Sequence, residues 1–218
     1  MNEYMTEEEI KELAAQLRCP TEDEICELME DSNSFMISET LKKLSLGVGD
    51  VVMELGPGNG HHLKSILKTA KEAFIVDISD YTISAIGERY SKSVLEGKLK
   101  TILTDGVSID IESGIVDKGF TVNTIYFWQD PISYLNEIGK VFKNDGEFFI
   151  TFAHQDSVKD LPFVKYGFEL YNEEKFQKLC EESCFSVSEL TLKTEVITSK
   201  IGDELKRNFI VAKLVKKS

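Results

Sequence analysis

The chain lacks the marks of a membrane-spanning, secreted, metal-binding or nucleic-acid-binding protein. No apolar run approaches the ~20 residues that a bilayer-spanning helix needs. The opening "MNEYMTEEEIKEL" is acidic and has no basic-then-apolar leader layout, so a cytoplasmic location and no membrane partner are expected. The four cysteines, Cys19, Cys26, Cys180 and Cys184, form no CxxC pair, and no histidine stands at metal-ligand spacing from them. Cys180 and Cys184 would share one face of a predicted helix, but free thiols are the simpler account and no metal is expected. Basic residues are few, 25 against 38 acidic ones, for a net charge of −13. Nucleic acid is bound by lysine and arginine displacing counterions, and no dense cluster of them precedes the tail "LVKKS". A small-molecule substrate and no nucleic-acid partner are the expectations. Internal repeats, low-complexity tracts and long linkers are absent too.

What remains is a 218-residue chain with room for one well-buried domain. It opens on helices. "TEEEIKELAAQL" offers Thr6 as N-cap and Glu9 in capping-box position, then an apolar stripe of Ile10, Leu13, Ala14 and Leu17. "TEDEICELM" repeats the device with Thr21 and Glu24, and a third helical stretch carries Met36, Ile37, Leu41 and Leu44, with "SLGVGD" ending it. Tyr4 and Arg18 belong to this region, which is expected to fold over a ligand or pack on a sheet.

From Asp50 onward short apolar runs alternate with amphipathic helices. "DVVMEL", "AFIVD", "KTILTD", "TVNTIYF" and "GEFFITF" are strand candidates, apolar on both faces as in a covered parallel sheet. "HHLKSILKTA", "DYTISAIGERYSK" and "PISYLNEIGKVF" are the helices between them, the last with Asp130 as N-cap and Pro131 at its first position. "KNDGEF" turns the chain into the fifth strand. The connector "AHQDSVKDLPFVKYGFELY" is too long for an ordinary loop and suggests a lid or binding segment. After a helix "NEEKFQKLCEESC", the runs "FSVSELTLKTEV" and "KRNFIVAKLVKK" make an antiparallel pair. The expected fold is α/β: a doubly wound, Rossmann-like, seven-stranded, mostly parallel sheet with an antiparallel C-terminal pair. A helical cap at residues 1–45 precedes the main domain at 46–218.

The chemistry gathers at "VVMELGPGNGHHL". Gly56, Gly58 and Gly60, with Pro57 between the first two, fall in the first strand-to-helix turn, where doubly wound sheets bind ligands. Glycine brings main-chain N–H groups close to a ligand with no Cβ in the way. His61 stands where the dinucleotide pattern GxGxxG wants its third glycine, and no Gly-Lys-Ser/Thr follows for a Walker-type phosphate loop. The second strand ends in Asp77, twenty-one residues after Gly56, where a carboxylate can accept from both ribose hydroxyls. The third ends in "TDG", putting Asp105 where it could accept an adenine amino N–H. Glu54 precedes the turn, and its charge suits a cationic amine. Three carboxylates on successive strand ends beside bared backbone describe a site for a positively charged nucleoside. Asp77 or Asp105 alone could equally cap a helix.

"VMELGPGNG", "FIVDIS", "ILTDG", "TVNTIYFWQDP" and "EIGKVFKNDGEFFIT" resemble, in order and spacing, the motifs of class I S-adenosylmethionine-dependent methyltransferases. The likeness is nearest the small-molecule, ubiquinone/menaquinone-biosynthesis-like group and covers about residues 46 to 152. "KNDGEF" departs from that family's Pro-Gly-Gly turn, keeping Gly146 alone. The resemblance implies S-adenosyl-L-methionine as cofactor, with Glu54, Gly56, Gly58 and Gly60 along its methionine moiety. Asp77 would hold the ribose, Ile78 would pack on the adenine, and Asp105 and Gly106 would meet its edge. Asn123 and Tyr126 would face the methionyl and sulfonium side, with Phe127 and Trp128 extending the wall toward the acceptor. Rings of the "YFW" run could instead be plain core, though aromatic faces attract a sulfonium cation.

His61 is expected near the cofactor and His62 in solvent. His154, after the fifth strand, is either a substrate contact or a loop histidine. No catalytic residue announces itself. Transfer from a sulfonium needs positioning and water exclusion, and a base only where the acceptor must lose a proton. The acceptor pocket is expected between the N-terminal helices, the Trp128 region and the 153–171 connector. The rivals are a non-catalytic binder of the same fold, a nicotinamide-dependent oxidoreductase and a protein methyltransferase. Monomer and homodimer are both open.

Overall fold

The computed structural model describes residues 5–198 and 204–217, so Tyr4 lies outside the described residues. Helix α1 (Glu7–Arg18) starts at the predicted capping box: Thr6 Oγ1 accepts from Glu9 N, and Thr6 N donates to Glu9 Oε2 at 2.6 Å. The next two predicted helices are one, α2 (Asp23–Leu44). Its N-cap position holds Glu22 without a side-chain cap, while Thr21 bonds back to Gln16 instead. The polar run between the two predicted helices, "EDSNS", continues the helix, with Ser32 and Asn33 turned inward and buried. Ser45, not a glycine, takes the left-handed position that ends α2, at φ 47°.

Strands β1 (Val51–Leu55), β2 (Glu72–Asp77), β3 (Leu99–Leu103), β4 (Val116–Val122), β5 (Phe142–Ala153), β6 (Phe185–Thr198) and β7 (Glu204–Lys216) form one sheet in the order β3-β2-β1-β4-β5-β7-β6. Pairings from β3 through β5 are parallel; β7 runs antiparallel to both β5 and β6. Two expectations need correcting. The fourth strand is Val116–Val122, and Ile125–Phe127 of the expected "TVNTIYF" form a 3-10 turn. The strand stops because Asn123 adopts φ 59°, which ends extended pairing. "KNDG" also lies inside β5, where the register against β4 slips.

Helices α3 (Leu63–Thr69), α4 (Asp80–Arg89), α5 (Ser91–Leu95), α6 (Pro131–Val141), α7 (Gln155–Val158) and α8 (Glu173–Glu181) complete the chain. Alternation along β1 splits the core. Val51, Met53 and Leu55 join the cluster under α6 and α8, while Val52 joins the cluster under α2 and α3. Glu54 is therefore on the α2/α3 face. Helix α8 ends before Cys184, whose thiol bonds to Leu135 O, so Cys180 and Cys184 do not share a helix face. A third cluster joins Leu13, Ala14 and Leu17 of α1 to Phe163 and Val164 of the connector. The connector is thus docked on α1.

Candidate active site

Two adjoining cavities lie under α1 and α2, the larger over the C-terminal ends of β1, β2, β3 and β4 and the smaller beside it, between the end of β4, the end of β5 and the connector. The larger, about 280 Å3, is lined by Glu54, Gly56, Pro57, Gly58, Asp77, Ile78, Asp105, Gly106, Asn123 and Trp128 among others. Strand ends bring most of the predicted residues to one place because parallel strands stop at a common rim. Gly60 and Tyr126 do not line it. A side chain at Gly60 would stand about 3 Å from Leu63 of α3 and Ile86 of α4, so this glycine serves the close packing of the turn against those two helices. Gly56 sits at φ 69°, and a Cβ there would come 2.3 Å from Thr124 Cγ2. Only glycine fits that turn.

The three carboxylates differ in setting. Glu54 is buried, and both its oxygens face His62 Nε2, at 2.7 and 2.9 Å. Its pKa is raised by burial and pulled back by the His62 charge and hydrogen bond. Asp77 is buried and accepts from Ser79 N at 2.8 Å; burial lifts its pKa to about 6 against that hydrogen bond. Asp105 is exposed, and its Oδ1 accepts from Val107 N, Ser108 N and Ser108 Oγ, which holds its pKa down. It caps its own loop with one oxygen.

The histidine expectations are reversed. His61 is exposed, and His62 is the buried one, its side chain 8% exposed. Periodicity could not separate them, since both precede the first turn of α3. The cap meets this rim directly: Ser79 Oγ donates to Pro20 O at 2.6 Å, and Leu17, Arg18 and Pro20 line the cavity.

The second cavity, about 70 Å3, is apolar and lies under the connector. Its walls include Val158, Leu161, Phe163, Val164, Phe168 and Leu170. Phe168 packs on Phe127 with centroids 4.6 Å apart, and on Tyr126 and Phe163 at 5.8 and 5.6 Å. Arg207 closes one side, nearly fully buried, its guanidinium bound to Glu195 and to Ser32 O. Leu17, Met29, Asn33, Asn123 and Phe127 line both cavities and frame the passage between them. There Asn123 Nδ2 donates to Asn33 Oδ1 at 2.8 Å, and Tyr126 Oη donates to Asn123 Oδ1 at 2.7 Å while accepting from Ala153 N at 2.6 Å.

Trp128 lines only the larger cavity, edge-on to Tyr134. His154 lines neither: it caps α7 through Asp156 N and bonds Glu173 at 3.0 Å. Asn33, Arg207 and Glu195 escaped sequence reasoning. The polar interruption of the α2 stripe was the one signal for Asn33; nothing local marks an ion pair made across the β6–β7 hairpin.

Residues 53–150 match the family described as a methyltransferase domain. The chain is 22% identical over 135 residues to an uncharacterized methyltransferase of Bacillus subtilis, YdaC, covering 60% of this chain and 71% of that one. It is similar in structure to a Haloferax volcanii methyltransferase solved in complex with the Trm112 methyltransferase activator. The TM-score is 0.75 at 17% identity, over 96% of this chain and 98% of that one. It is also similar to geranyl diphosphate C-methyltransferase of Streptomyces coelicolor, solved with S-adenosyl-L-homocysteine. Here the TM-score is 0.63 at 10% identity, over 83% of this chain and 75% of that one.

Proposed function

We propose that the chain is a class I S-adenosylmethionine-dependent methyltransferase whose larger cavity holds that cofactor and whose apolar chamber holds a small-molecule methyl acceptor. The observation that carries this reading is the shared wall: five residues line both cavities, so a ligand in each would meet at Asn33 and Asn123. The donor set fits a cationic nucleoside. Carboxylates from three strand ends face one space, and among the described residues no atom beyond Gly58's own chain neighbours stands within 4 Å of where a side chain there would be.

Asp77 would accept from the ribose hydroxyls, Ile78 and Gly106 would pack on the adenine, and Asp105 would accept from its amino group with the oxygen its loop leaves free. Glu54 and the Gly56–Gly58 backbone would receive the amino-acid end, and Asn123 would face the sulfonium side. Bound there, the cofactor supplies an electrophilic methyl group on a sulfur that leaves as a neutral thioether. The chain's own contribution is to orient and to exclude water. The five shared residues include no acid or base, and the Tyr126 hydroxyl is spent on Asn123 and Ala153. An acceptor that is already nucleophilic is therefore favoured, and no catalytic base is assigned. An acidic surface and a chamber closed by side chains favour a small acceptor over RNA.

The Haloferax relative was solved with an activator subunit, so a protein acceptor or such a partner is the second reading. Calorimetry with S-adenosylhomocysteine, followed by release of that product across a panel of apolar thiols, phenols and amines, tests the proposal. Saturable binding with turnover of a small acceptor supports it. Binding without turnover of any of them points to the non-catalytic binder, and methylation of protein alone to the second reading. Saturable NADH binding in place of the nucleoside overturns it.

A further inference from the structure

Glu54 lies on the sheet face covered by α2 and α3, and its side chain is only 4% exposed. Both of its oxygens are served by one nitrogen, His62 Nε2. The other imidazole nitrogen, Nδ1, is buried without a hydrogen-bond partner among the described residues and faces Glu30 Oε2 at 3.7 Å. The ring is held edge-on against Phe120 of β4, centroids 6.2 Å apart. Glu30 and Glu54 both line the larger cavity; His62 lies behind them.

Beside an ionised Glu54, a nitrogen within hydrogen-bond distance of both carboxylate oxygens carries a proton. A bare lone pair on Nδ1 facing the Glu30 carboxylate at 3.7 Å would be repelled, which favours a proton there as well. We propose that His62 is a positioning residue: a buried imidazolium that keeps Glu54 ionised and oriented, so that the Glu54–His62–Glu30 group offers one net negative charge to the α-amino cation of the donor. This rests on the donor assignment proposed above. Burial alone would push the imidazole down, but the charges of Glu54 and Glu30 outweigh it and lift His62 to about 10. Burial pushes Glu54 up, and His62 is what opposes it. Without that cation, Glu54 protonates and loses its hold on an amine.

The other groups facing this cluster do not supply the charge. Asp77 on β2 is itself acidic, Lys42 stands in a shallow surface groove beside His62 and pairs with Glu39, and the Tyr90 hydroxyl is bonded to Gly60 O.

Two probes separate this role from general packing. S-adenosylhomocysteine carries the α-amino group; 5′-deoxy-5′-(methylthio)adenosine keeps the nucleoside and sulfur and lacks it. By calorimetry at pH 7.5, His62→Gln should weaken the first by about 30-fold or more and the second by no more than about twofold. Binding of S-adenosylhomocysteine to the variant should release a proton, read from buffers of different ionisation enthalpy, and tighten as pH rises; wild-type binding should not. Glu30→Gln, which leaves the His62–Glu54 contact intact, should weaken only the first probe, by about threefold.

Nitrogen-detected NMR of the wild-type protein needs no variant and should find both His62 nitrogens protonated at pH 8. Equal weakening of both probes, or a single neutral tautomer at pH 8, overturns the proposal. If neither probe binds the wild type, the donor assignment fails first, and the NMR result still decides the state of the imidazole.

Discussion

The two cavities share a wall yet are assembled in different ways. The larger has a floor of residues at the ends of four neighbouring strands, each within a few positions of where its strand stops, and a roof from α1 and α2. The apolar chamber draws on α1, α2, the 3-10 turn, the connector and the β6–β7 hairpin, segments far apart in the chain. The first holds carboxylates at positions set by sheet register; the second is apolar and fixed by side-chain packing. The lesson is one of tolerance. A register-built site fails when a backbone position or a single carboxylate is changed, whereas a packed chamber can be reshaped one side chain at a time.

The sharpest way to break the register-built half is Gly56→Ala. A Cβ 2.3 Å from Thr124, on a residue at φ 69°, forces the turn to move. Loss of donor binding by at least about 100-fold and roughly 3 kcal/mol of stability are expected, from calorimetry and urea unfolding. Unchanged affinity would show that the turn does not shape the cavity.

Asp77→Asn separates function from stability in the same half. Burial raises the Asp77 pKa from 3.8 to about 6. A carboxyl raised on folding stabilises the free protein fully below its unfolded value and loses that contribution as pH climbs through about 6. The amide can still accept from Ser79 N, so the variant should be more stable at pH 8 by up to roughly 3 kcal/mol, with the gain vanishing near pH 4. Donor affinity should nevertheless fall by about 100-fold. A variant less stable at pH 8 would contradict the burial argument.

Phe163→Leu probes the packed half. Phe163 lines the chamber alone, so the KM of a small acceptor should rise about fivefold, at a cost of roughly 1 kcal/mol in stability, with donor affinity unchanged. A matching loss of donor affinity would mean that the two halves are not separable. The smallest effect is expected at Thr6→Ala, which removes the capping box of α1. About 1 kcal/mol should go from thermal or urea stability. Equal weakening of donor and acceptor would show that α1, whose Leu17 lines both spaces, couples them.

The contrast also explains what was legible. Glu54, Gly56, Asp77 and Asp105 could be read because each sits next to the strand that aims it, so local sequence carries their geometry. Asn33 and Arg207 could not, because their partners, Asn123 and Glu195, are distant or lie across a hairpin. His62 was misplaced for a related reason. Two adjacent histidines at a helix start differ only in which one points at β1, and the turn geometry of three left-handed glycines decides that. In α2, which the apolar pattern splits into two helices, three of the polar residues that break the stripe, Glu30, Ser32 and Asn33, face the cavities.

By itself the sequence determined the seven-strand order of apolar runs, the helices between them, and a glycine turn flanked by carboxylates, since periodicity and turn chemistry are local properties of a chain. Tertiary structure alone decided which histidine is buried, that the connector docks on α1, and that an apolar chamber opens beside the carboxylate-lined cavity. Those outcomes depend on packing between segments far apart in the chain, and such contacts leave no periodic trace in the order of residues.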